Sequence, residues 1–504
     1  MTQNQLMKHE TIWKLPEPSA FQPLRHDVHT QALIIGGGIT GVTAAYLLAK
    51  AGKSVLLLEK GALNAGETQF TTAHISYPTD ARLKDLVKKF GHNHAEAIWD
   101  ACQASAEQIR RNICQQEIDC DLRHVPGYLY TAEDANTEDE TKHLKEDAEL
   151  AQHMGFDATY EEHCPVTRRP AVRFSNLMKF HPTRYTTALA QAAAGMGTQI
   201  CEESEATDFD PEKRLVRCNG HEITYEHIFI ATHVPLQGGA GTLGAMLLQT
   251  KLAGYSTYAM HATLPPDSAP EALWWDTSDP YFYFRVDKTE TGLQIIAGGQ
   301  DHKTGQMEDT EKCYAALTAQ ILHAFPSAQL TQRWSGQVIE TVDGLPYIGE
   351  YAEQFVATGY SGTGMTFGTL AAMMFADHVQ GVANPWTDLF RIDRKELSST
   401  WDYLKENKDY PFYLAKSMFA GEKRQPDELA KGEGAVLKHQ GKKVAASRDQ
   451  EGKLTVLSAI CPHLGCVVAW NQADGTWDCP CHGSRFTTHG KVMAGPAESP
   501  LKPV

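Results

Sequence analysis

The chain has 504 residues, 42% of them hydrophobic, and a formal charge of −16 at pH 7. This length predicts several domains with sizeable cores, and the acidic balance argues against a nucleic-acid-binding protein. Residues 1–29 are expected to form an N-terminal extension; they contain prolines and charges but no apolar core of a secretory signal. We therefore expect a cytoplasmic protein without a transmembrane segment.

The first motif with chemical meaning is a glycine-rich turn. Residues 31–35 (QALII) predict a buried strand, and Gly36, Gly38 and Gly41 follow it at the start of a predicted helix. Gly36 permits a tight turn, Gly38 lets a pyrophosphate approach the backbone, and Gly41 lets helix and strand pack closely. A second apolar run ends in Glu59, an acid spaced to bind a ribose hydroxyl. The pattern predicts a site for FAD or NAD, the alternative being a glycine turn without a ligand.

A second glycine-dense region favours FAD over NAD. Residues 355–368 (FVATGYSGTGMTFG) predict a strand, a loop and the start of a helix, and they follow WSG at 334–336 and DGLPYIG at 343–349. Over about residues 30–390 these segments resemble the D-amino-acid oxidase and glycine/sarcosine oxidase superfamily. The resemblance implies a flavin oxidoreductase whose C-terminal glycine loop closes over FAD. The residues it places at the flavin are Thr71, Thr72, Gly359, Gly362, Gly364, Met365 and Thr366.

Two histidines mark departures from that superfamily. His233 follows the predicted strand 228–232 where these enzymes usually have glycine. His74 lies near the segment that passes the flavin ring, and some relatives attach flavin to a histidine in this region. Its spacing differs from theirs, so a hydrogen-bonding or structural role is the alternative to covalent attachment.

The substrate is expected under a sheet of alternating strands at about residues 251–325. On the predicted strand 281–285, Tyr281, Tyr283 and Arg285 share one face, and a guanidinium is a natural partner of a substrate carboxylate. Arg184 is a second candidate for that role. The alternative for Arg285 is a surface ion pair, and Asp301 with His302 is interpreted as a hairpin turn.

The end of the chain carries two short segments rich in metal ligands, CPHLGC at 461–466 and CPCHGS at 479–484. Two cysteines and two histidines delivered by two loops suit an iron–sulfur centre in which Cys461 and Cys479 bind one iron and His463 and His482 the other. A structural zinc site is the alternative. The seven cysteines outside these two segments show no ligand-like spacing.

These two segments resemble the Rieske ferredoxin fold in its version with a loop disulfide and a Gly-Pro-Ala segment, here 495–497. The resemblance implies a 2Fe–2S Rieske cluster and a disulfide between Cys466 and Cys481. Respiratory Rieske centres place a serine and a tyrosine hydroxyl near the cluster, whereas this chain has Ser484 but Phe486. A lower reduction potential than in the respiratory type is therefore predicted.

The sequence thus predicts an α/β (α+β) FAD-binding Rossmann-type domain with an interleaved antiparallel-sheet substrate domain, and a small all-β Rieske domain. The expected boundaries are 30–390 for the flavin body, 391–426 for a linker and 427–504 for the Rieske domain. A small amine or amino-acid-like substrate would reduce FAD, and the cluster would relay electrons to an unknown acceptor. A reductase running in the opposite direction and a redox sensor without turnover are the alternatives.

Overall fold

The computed structural model describes residues 7–13, 21–235, 248, 251–394, 421–422 and 424–504. The predicted N-terminal extension and the predicted linker lie partly outside these ranges. Four sheets organise the described chain: one of eight strands, one of ten, and two small ones near the C-terminus.

Parallel strands form the centre of the eight-stranded sheet. Val28–Ile35 lies between His221–Ile230 and Val55–Leu58 and runs parallel to both. The aliphatic run of Val55–Leu58 is buried at every position, as parallel strands covered on both faces require. From edge to edge the order is Tyr347–Tyr351, Gln354–Thr358, His221–Ile230, Val28–Ile35, Val55–Leu58 and Gln199–Cys201. In addition, Leu215–Cys218 pairs with His221–Ile230, and Ala206–Asp210 pairs with Leu215–Cys218.

The helices pack mainly around this sheet. Ile39–Lys50 follows the first strand directly and is buried along almost its whole length, because Gly, Ala, Val and Leu make up most of it. It contacts Gly364–Gln380, a second helix dominated by apolar residues. The remaining α-helices among the described residues are Leu83–Phe90, His92–Gln116, Thr137–His153, Pro182–Gly195, Glu311–Ala324 and Thr387–Phe390. No described helix is both long and apolar enough to cross a membrane.

The ten-stranded sheet is mainly antiparallel and is wider than the predicted block 251–325. It also includes Arg123–Tyr130, Ala171–Lys179 and Gln329–Thr341. Its order is Lys8–His9, Gln329–Thr341, Leu252–Leu264, Leu293–Lys303, Tyr283–Lys288, Leu273–Asp276, Arg123–Tyr130, Ala171–Lys179 and His74–Ile75, with Ala158–Glu161 paired to Ala171–Lys179. Strands far apart in the chain therefore build one wall.

The C-terminal part contains only short antiparallel strands. Gly434–His439, Lys442–Arg448 and Leu454–Ser458 form a three-stranded sheet. A four-stranded sheet follows, made of Ala469–Asn471, Thr476–Asp478, Arg485–Phe486 and Val492–Ala494. The predicted fold class, a Rossmann-type body with an antiparallel-sheet domain and a small all-β domain, is confirmed.

Candidate active site and metal centre

A cavity of about 1100 Å³ lies between the eight-stranded and ten-stranded sheets. Gly36, Glu59, Ala231 and Gly359 line it, and each directly follows a strand of the eight-stranded sheet. Open α/β sheets bind ligands at the carboxyl ends of their strands. Because pockets for single small molecules span roughly 300–1000 Å³, this cavity suits an extended ligand together with a smaller one.

The glycine turn at one end of the cavity depends on close backbone contacts. Gly36 has φ +113°, and a Cβ there would lie 2.7 Å from the carbonyl oxygen of Ala231. A Cβ on Gly41 would lie 1.9 Å from the carbonyl oxygen of Gly36, so any side chain would push the helix off the strand. Gly38 lines the cavity at the N-terminus of Ile39–Lys50, where the helix dipole favours an anion.

Glu59 is held beside this turn by the backbone. Its Oε2 accepts a hydrogen bond from the Gly37 N–H and its Oε1 from the Gly61 N–H, both at 2.8 Å. Each carboxylate oxygen keeps a second lone pair for a ribose hydroxyl. The turn, the helix N-terminus and this carboxylate together fit the ADP half of FAD.

The second glycine loop closes the other end of the cavity. Gly359, Gly362, Gly364 and Met365 line it, and the helix Gly364–Gln380 begins there. Thr366 is different: it lies outside the cavity wall, fully buried, and its hydroxyl donates to the Ser76 carbonyl. The Thr366 side chain therefore does not face the cavity, and the placement of this residue at the flavin stays a prediction.

Thr71, Thr72 and His74 all line the cavity. His74 Nδ1 lies 3.0 Å from the Thr72 hydroxyl, and His74 Nε2 is buried with no hydrogen-bond partner among the described residues. Burial, reinforced by Arg285, lowers the pKa of His74 to about 3, so the ring is neutral. His233 also lines the cavity, and burial lowers its pKa. Both neutral imidazoles can donate or accept a hydrogen bond at the cavity wall.

Arg285 does not face the cavity. It is only 3% exposed, and it pairs with Asp287 through Nε and Nη2. Its Nη1 donates to the carbonyl oxygens of Thr72, Ala73 and Phe180. These bonds engage nearly all of its N–H groups, so the prediction that it holds a substrate carboxylate is corrected, as is the alternative of a surface pair.

Arg184 is also placed elsewhere. It is exposed on the helix Pro182–Gly195 and does not line the cavity. The strand 283–288 begins at Tyr283, so Tyr281 precedes it, but both tyrosines line the cavity with ring centroids 5.4 Å apart. The shared face predicted for 281–285 thus holds for the tyrosines and fails for the arginine.

Two aspartates in this part of the cavity were missed as site residues. Asp80 is open to the cavity and its Oδ2 accepts a hydrogen bond from the Tyr281 hydroxyl at 3.0 Å. Asp301 lies in the strand Leu293–Lys303 rather than in a hairpin turn, and it lines the same region. Burial raises the pKa of Asp80 to about 7 and that of Asp301 to about 6. No local motif surrounds either residue, because tertiary packing alone brings them together.

The two cysteine- and histidine-bearing loops have the same backbone pattern. The Cys461 N–H donates to the Cys466 carbonyl at 2.7 Å, and the Cys479 N–H donates to the Ser484 carbonyl at 2.8 Å. In each loop a glycine with positive φ closes the turn. The Gly465 N–H donates to the Cys461 carbonyl, and the Gly483 N–H donates to the Cys479 carbonyl. Two equivalent loops therefore present their ligands in matching positions.

The four proposed ligands separate into two like pairs. Cys461 and Cys479 are almost fully buried, and contact between their side chains lowers the pKa of Cys461 to about 7. The rings of His463 and His482 lie 4.9 Å apart between centroids and are half-buried. Buried sulfurs on one side and more accessible imidazoles on the other fit a binuclear cluster with one thiolate-bound and one histidine-bound iron.

Two further contacts hold the loops together. Cys466 and Cys481 form a disulfide. The Ser484 hydroxyl bonds to the Cys461 side chain, and its oxygen accepts the Ala497 N–H at 3.0 Å. That bond joins the ligand loop to the Gly-Pro-Ala segment at 495–497, which also lines the large cavity.

A buried polar network fixes the C-terminal domain on the flavin body. Arg485 is 5% exposed and pairs with Asp474 at 2.8 Å and Asp478 at 3.2 Å. Asp474 in turn accepts a 2.6 Å hydrogen bond from Ser335, on the strand Gln329–Thr341 of the other domain. Because unpaired buried charges are costly, this arrangement specifies one docking position.

One residue spans the distance between cavity and cluster. Gln337 lines the cavity, and its side-chain amide donates to the Gly483 carbonyl at 2.7 Å. Gly483 directly follows His482. A Cβ on Gly254 would lie 3.4 Å from the Gly483 Cα, so the ligand loop rests against the ten-stranded sheet with little space between them.

This chain is an FAD-dependent oxidoreductase with a C-terminal iron–sulfur domain. It belongs to the family described as FAD dependent oxidoreductase, which matches residues 31–378, and residues 422–504 match the Rieske 2Fe–2S domain. FAD and a Rieske cluster are its cofactors.

Among its relatives, the Rieske 2Fe–2S iron–sulfur protein YhfW of Bacillus subtilis is 32% identical over 508 residues, covering 98% of this chain and 97% of that protein. The gamma-glutamylputrescine oxidoreductase of Escherichia coli is 22% identical over 384 residues, covering 72% and 86%. The glycine oxidase of Geobacillus kaustophilus shares the fold with TM-score 0.60 at 19% identity, covering 73% of this chain and 99% of that chain.

Proposed function

We propose that the protein oxidises a small amine or amino-acid-like substrate and delivers the electrons through its Rieske cluster to an external one-electron acceptor. When bound, FAD supplies hydride acceptance and the cluster supplies single-electron transfer. In the overall reaction a C–H bond beside nitrogen breaks and the nitrogen lone pair forms a C=N bond. The substrate becomes an iminium ion, two electrons leave singly to the acceptor, and a proton goes to solvent.

The observation that carries this proposal is the position of Gln337. Its backbone belongs to the cavity wall, and its side chain hydrogen-bonds to the loop that supplies His482. Gln337 N–H also donates to Glu67, another cavity residue, at 2.8 Å. A short covalent and hydrogen-bonded route therefore joins the flavin cavity to one histidine ligand.

The two ligand loops face different surroundings, which supports a relay. The 479–484 loop lies against the flavin body: Gln306 donates to the Pro480 carbonyl at 3.0 Å, and Gly483 is buried. In the 461–466 loop, by contrast, Pro462 and Gly465 are exposed. One side of the cluster thus meets the donor cavity, and the other is accessible to an acceptor.

The names of the relatives support the proposed class of substrate. The Escherichia coli protein is named for an amine derivative, and solved structures of the same fold include glycine oxidase and L-proline dehydrogenase. All three names specify nitrogen compounds with an oxidisable C–H beside nitrogen. We extend that common feature to this chain.

The test is an anaerobic rapid-mixing experiment on the FAD- and cluster-loaded protein. Amines and amino acids are mixed in, flavin bleaching is followed by absorbance, and cluster reduction is followed by EPR. We expect bleaching first and the cluster signal second. In Gln337→Leu, bleaching should keep its rate while the cluster signal slows about tenfold, because the hydrogen bond to Gly483 is lost.

Gln306→Leu is the matched control, since it removes a similar amide bond to the same loop from a residue outside the cavity wall. It should leave both rates unchanged. Cluster reduction by an external donor before flavin bleaching would replace the proposal with a reductase. No bleaching with any nitrogen compound would favour a sensor without turnover.

A further inference from the structure

The substrate end of the cavity has an unusual charge distribution for an amino-acid site. Among the described residues that line the cavity, the basic side chains are Lys60 and Arg82. Lys60 follows Glu59 at the nucleotide end. Arg82 is already bound by Glu140 and Asp147, two acids that flank it. Neither is placed to take a substrate carboxylate.

Acidic side chains lie at the end of the cavity where a basic partner for a substrate carboxylate was expected. Asp80 packs against the glycine loop: a Cβ on Gly362, which has φ +79°, would lie 2.2 Å from the Asp80 Oδ2. Asp301 lies near enough to raise the pKa of Asp80 by repulsion, although burial is the larger cause. Asp301 lines the same end of the cavity, and Thr257 is the side chain that hydrogen-bonds to it.

Two carboxylates at one end of a cavity, with no free basic side chain beside them among the described residues, are costly to ionise unless a bound cation pairs with them. The neighbouring wall is aromatic: Tyr281, Tyr283, Trp275 and Phe174 line it, with Trp275 stacked on Phe174 at 5.9 Å. Carboxylates combined with aromatic faces bind cations through ion pairing and cation–π attraction. The same groups repel a carboxylate.

We infer that the substrate is a cationic amine without a carboxylate group, its nitrogen held by Asp80 and Asp301 and its carbon chain by the neighbouring aromatic wall. This substrate class rests on the proposed amine oxidation. It excludes simple amino acids as the preferred substrates. Before the C–N bond is oxidised, the ammonium proton passes to one of the two carboxylates, which leaves the lone pair needed for the C=N bond.

Three ligands that share a tert-butyl group test the charge preference without turnover. tert-Butylammonium, tert-butanol and pivalate share one apolar group and differ in charge, and the carbon beside the ammonium nitrogen carries no hydrogen to be removed. Their dissociation constants are measured on the FAD-loaded full chain at pH 8 from the perturbation of the flavin spectrum. We expect the cation to bind about tenfold tighter than the alcohol, and pivalate no tighter than the alcohol.

Asp80→Asn and Asp301→Asn keep the shape of each side chain and remove its charge. Each should weaken tert-butylammonium about tenfold and leave tert-butanol unchanged. Asp267→Asn is the matched control: Asp267 is exposed in a turn with φ 62°, a conformation that asparagine tolerates, and this variant should change neither constant. Retained flavin and an unchanged melting temperature establish that the variants are folded.

Tighter binding of pivalate than of tert-butanol, or cation binding that both Asn variants leave unchanged, would overturn the inference. Electron transfer is absent from this readout. A cation preference without cluster reduction by any amine would therefore contradict the proposed function alone. Rapid cluster reduction by an amino acid together with tight pivalate binding would contradict the inference alone.

Discussion

The cluster site and the substrate end of the cavity are both built from polar side chains brought close together, but they are encoded differently. The cluster ligands Cys461, His463, Cys479 and His482 come from two loops less than twenty residues apart along the chain. Tyr281 precedes the strand Tyr283–Lys288, which pairs with the strand that holds Asp301, whereas Asp80 lies 201 positions before Tyr281 and meets it only in the folded protein. The first site is a local motif, and the second exists only in the folded protein.

This contrast has a physical origin. Metal ligands must approach a common centre in fixed geometry, so short loops with set spacings supply them most reliably. A substrate wall needs only the right groups at a surface, and any strands that meet there can provide them. Local sequence patterns therefore predict the first kind of site far better than the second.

Loss of a cluster ligand should have the largest effect. Cys479→Ser removes one of two buried thiolates, and we expect complete loss of the Rieske EPR signal and of stoichiometric iron while FAD stays bound. Cys218→Ser, in the flavin body, is the control and should keep the cluster, because this thiol lies on the strand Leu215–Cys218 of the eight-stranded sheet and not in a ligand loop. A Cys479→Ser protein with a normal Rieske spectrum would contradict the ligand assignment.

Particular residues show where sequence interpretation succeeds and where it ends. Gly36, Gly41 and Glu59 could be recognised because close strand–helix packing demands a fixed spacing. Arg285 was misinterpreted because alternation along a strand places a side chain on a face but does not reveal what covers that face. Here Asp287 and three carbonyl groups cover it. Asp301 was missed because a preceding glycine pair suggested a turn, whereas the residue continues a long strand.

The buried polar network between the C-terminal domain and the flavin body can be disrupted at Arg485. Arg485→Leu leaves Asp474 and Asp478 buried without their partner, which should cost about 3–5 kcal/mol. We expect denaturant unfolding, followed by the visible circular dichroism of the cluster, to begin at clearly lower concentration. Arg424→Leu removes a pair exposed on the surface and should cost at most about 1 kcal/mol. Equal effects of the two variants would show that the buried network does not hold the domains together.

Cation binding at the substrate end of the cavity should depend on pH. The cluster ligands take no part in this dependence. The pKa of Asp301 is raised to about 6 and that of Asp80 to about 7, so both are neutral at pH 5 and ionised at pH 8. Tetramethylammonium, which does not titrate, should therefore bind about tenfold tighter at pH 8 than at pH 5. The titratable or polar groups that interact with these two acids are Tyr281, Tyr283, Asp279, Thr257 and Thr363, and His74 lines the same cavity.

The neighbouring rings should not add to this pH response. Burial raises the pKa of both Tyr281 and Tyr283, and burial lowers that of His74 to about 3, so all three stay neutral between pH 5 and 8. Asp80→Asn should remove the part of the response near pH 7 and keep the part near pH 6. Affinity that is flat across this range in the unaltered protein would contradict the assignment of Asp80 and Asp301 as the cation-binding groups.

The smallest expected effect concerns the reduction potential of the cluster. Phe486 is fully buried in the same apolar cluster as Cys461 and Cys479. In Phe486→Tyr the added hydroxyl can donate to a cluster or cysteine sulfur, which stabilises the reduced, more negative state. One such hydrogen bond is worth about 1 kcal/mol, and since 59 mV corresponds to a tenfold change for one electron, the midpoint should rise by roughly 40 mV. Ser484→Ala should lower it by a similar amount, because it removes the hydroxyl that bonds to Cys461. An EPR-monitored redox titration in which neither variant moves the midpoint would show that these hydroxyl positions do not set the potential.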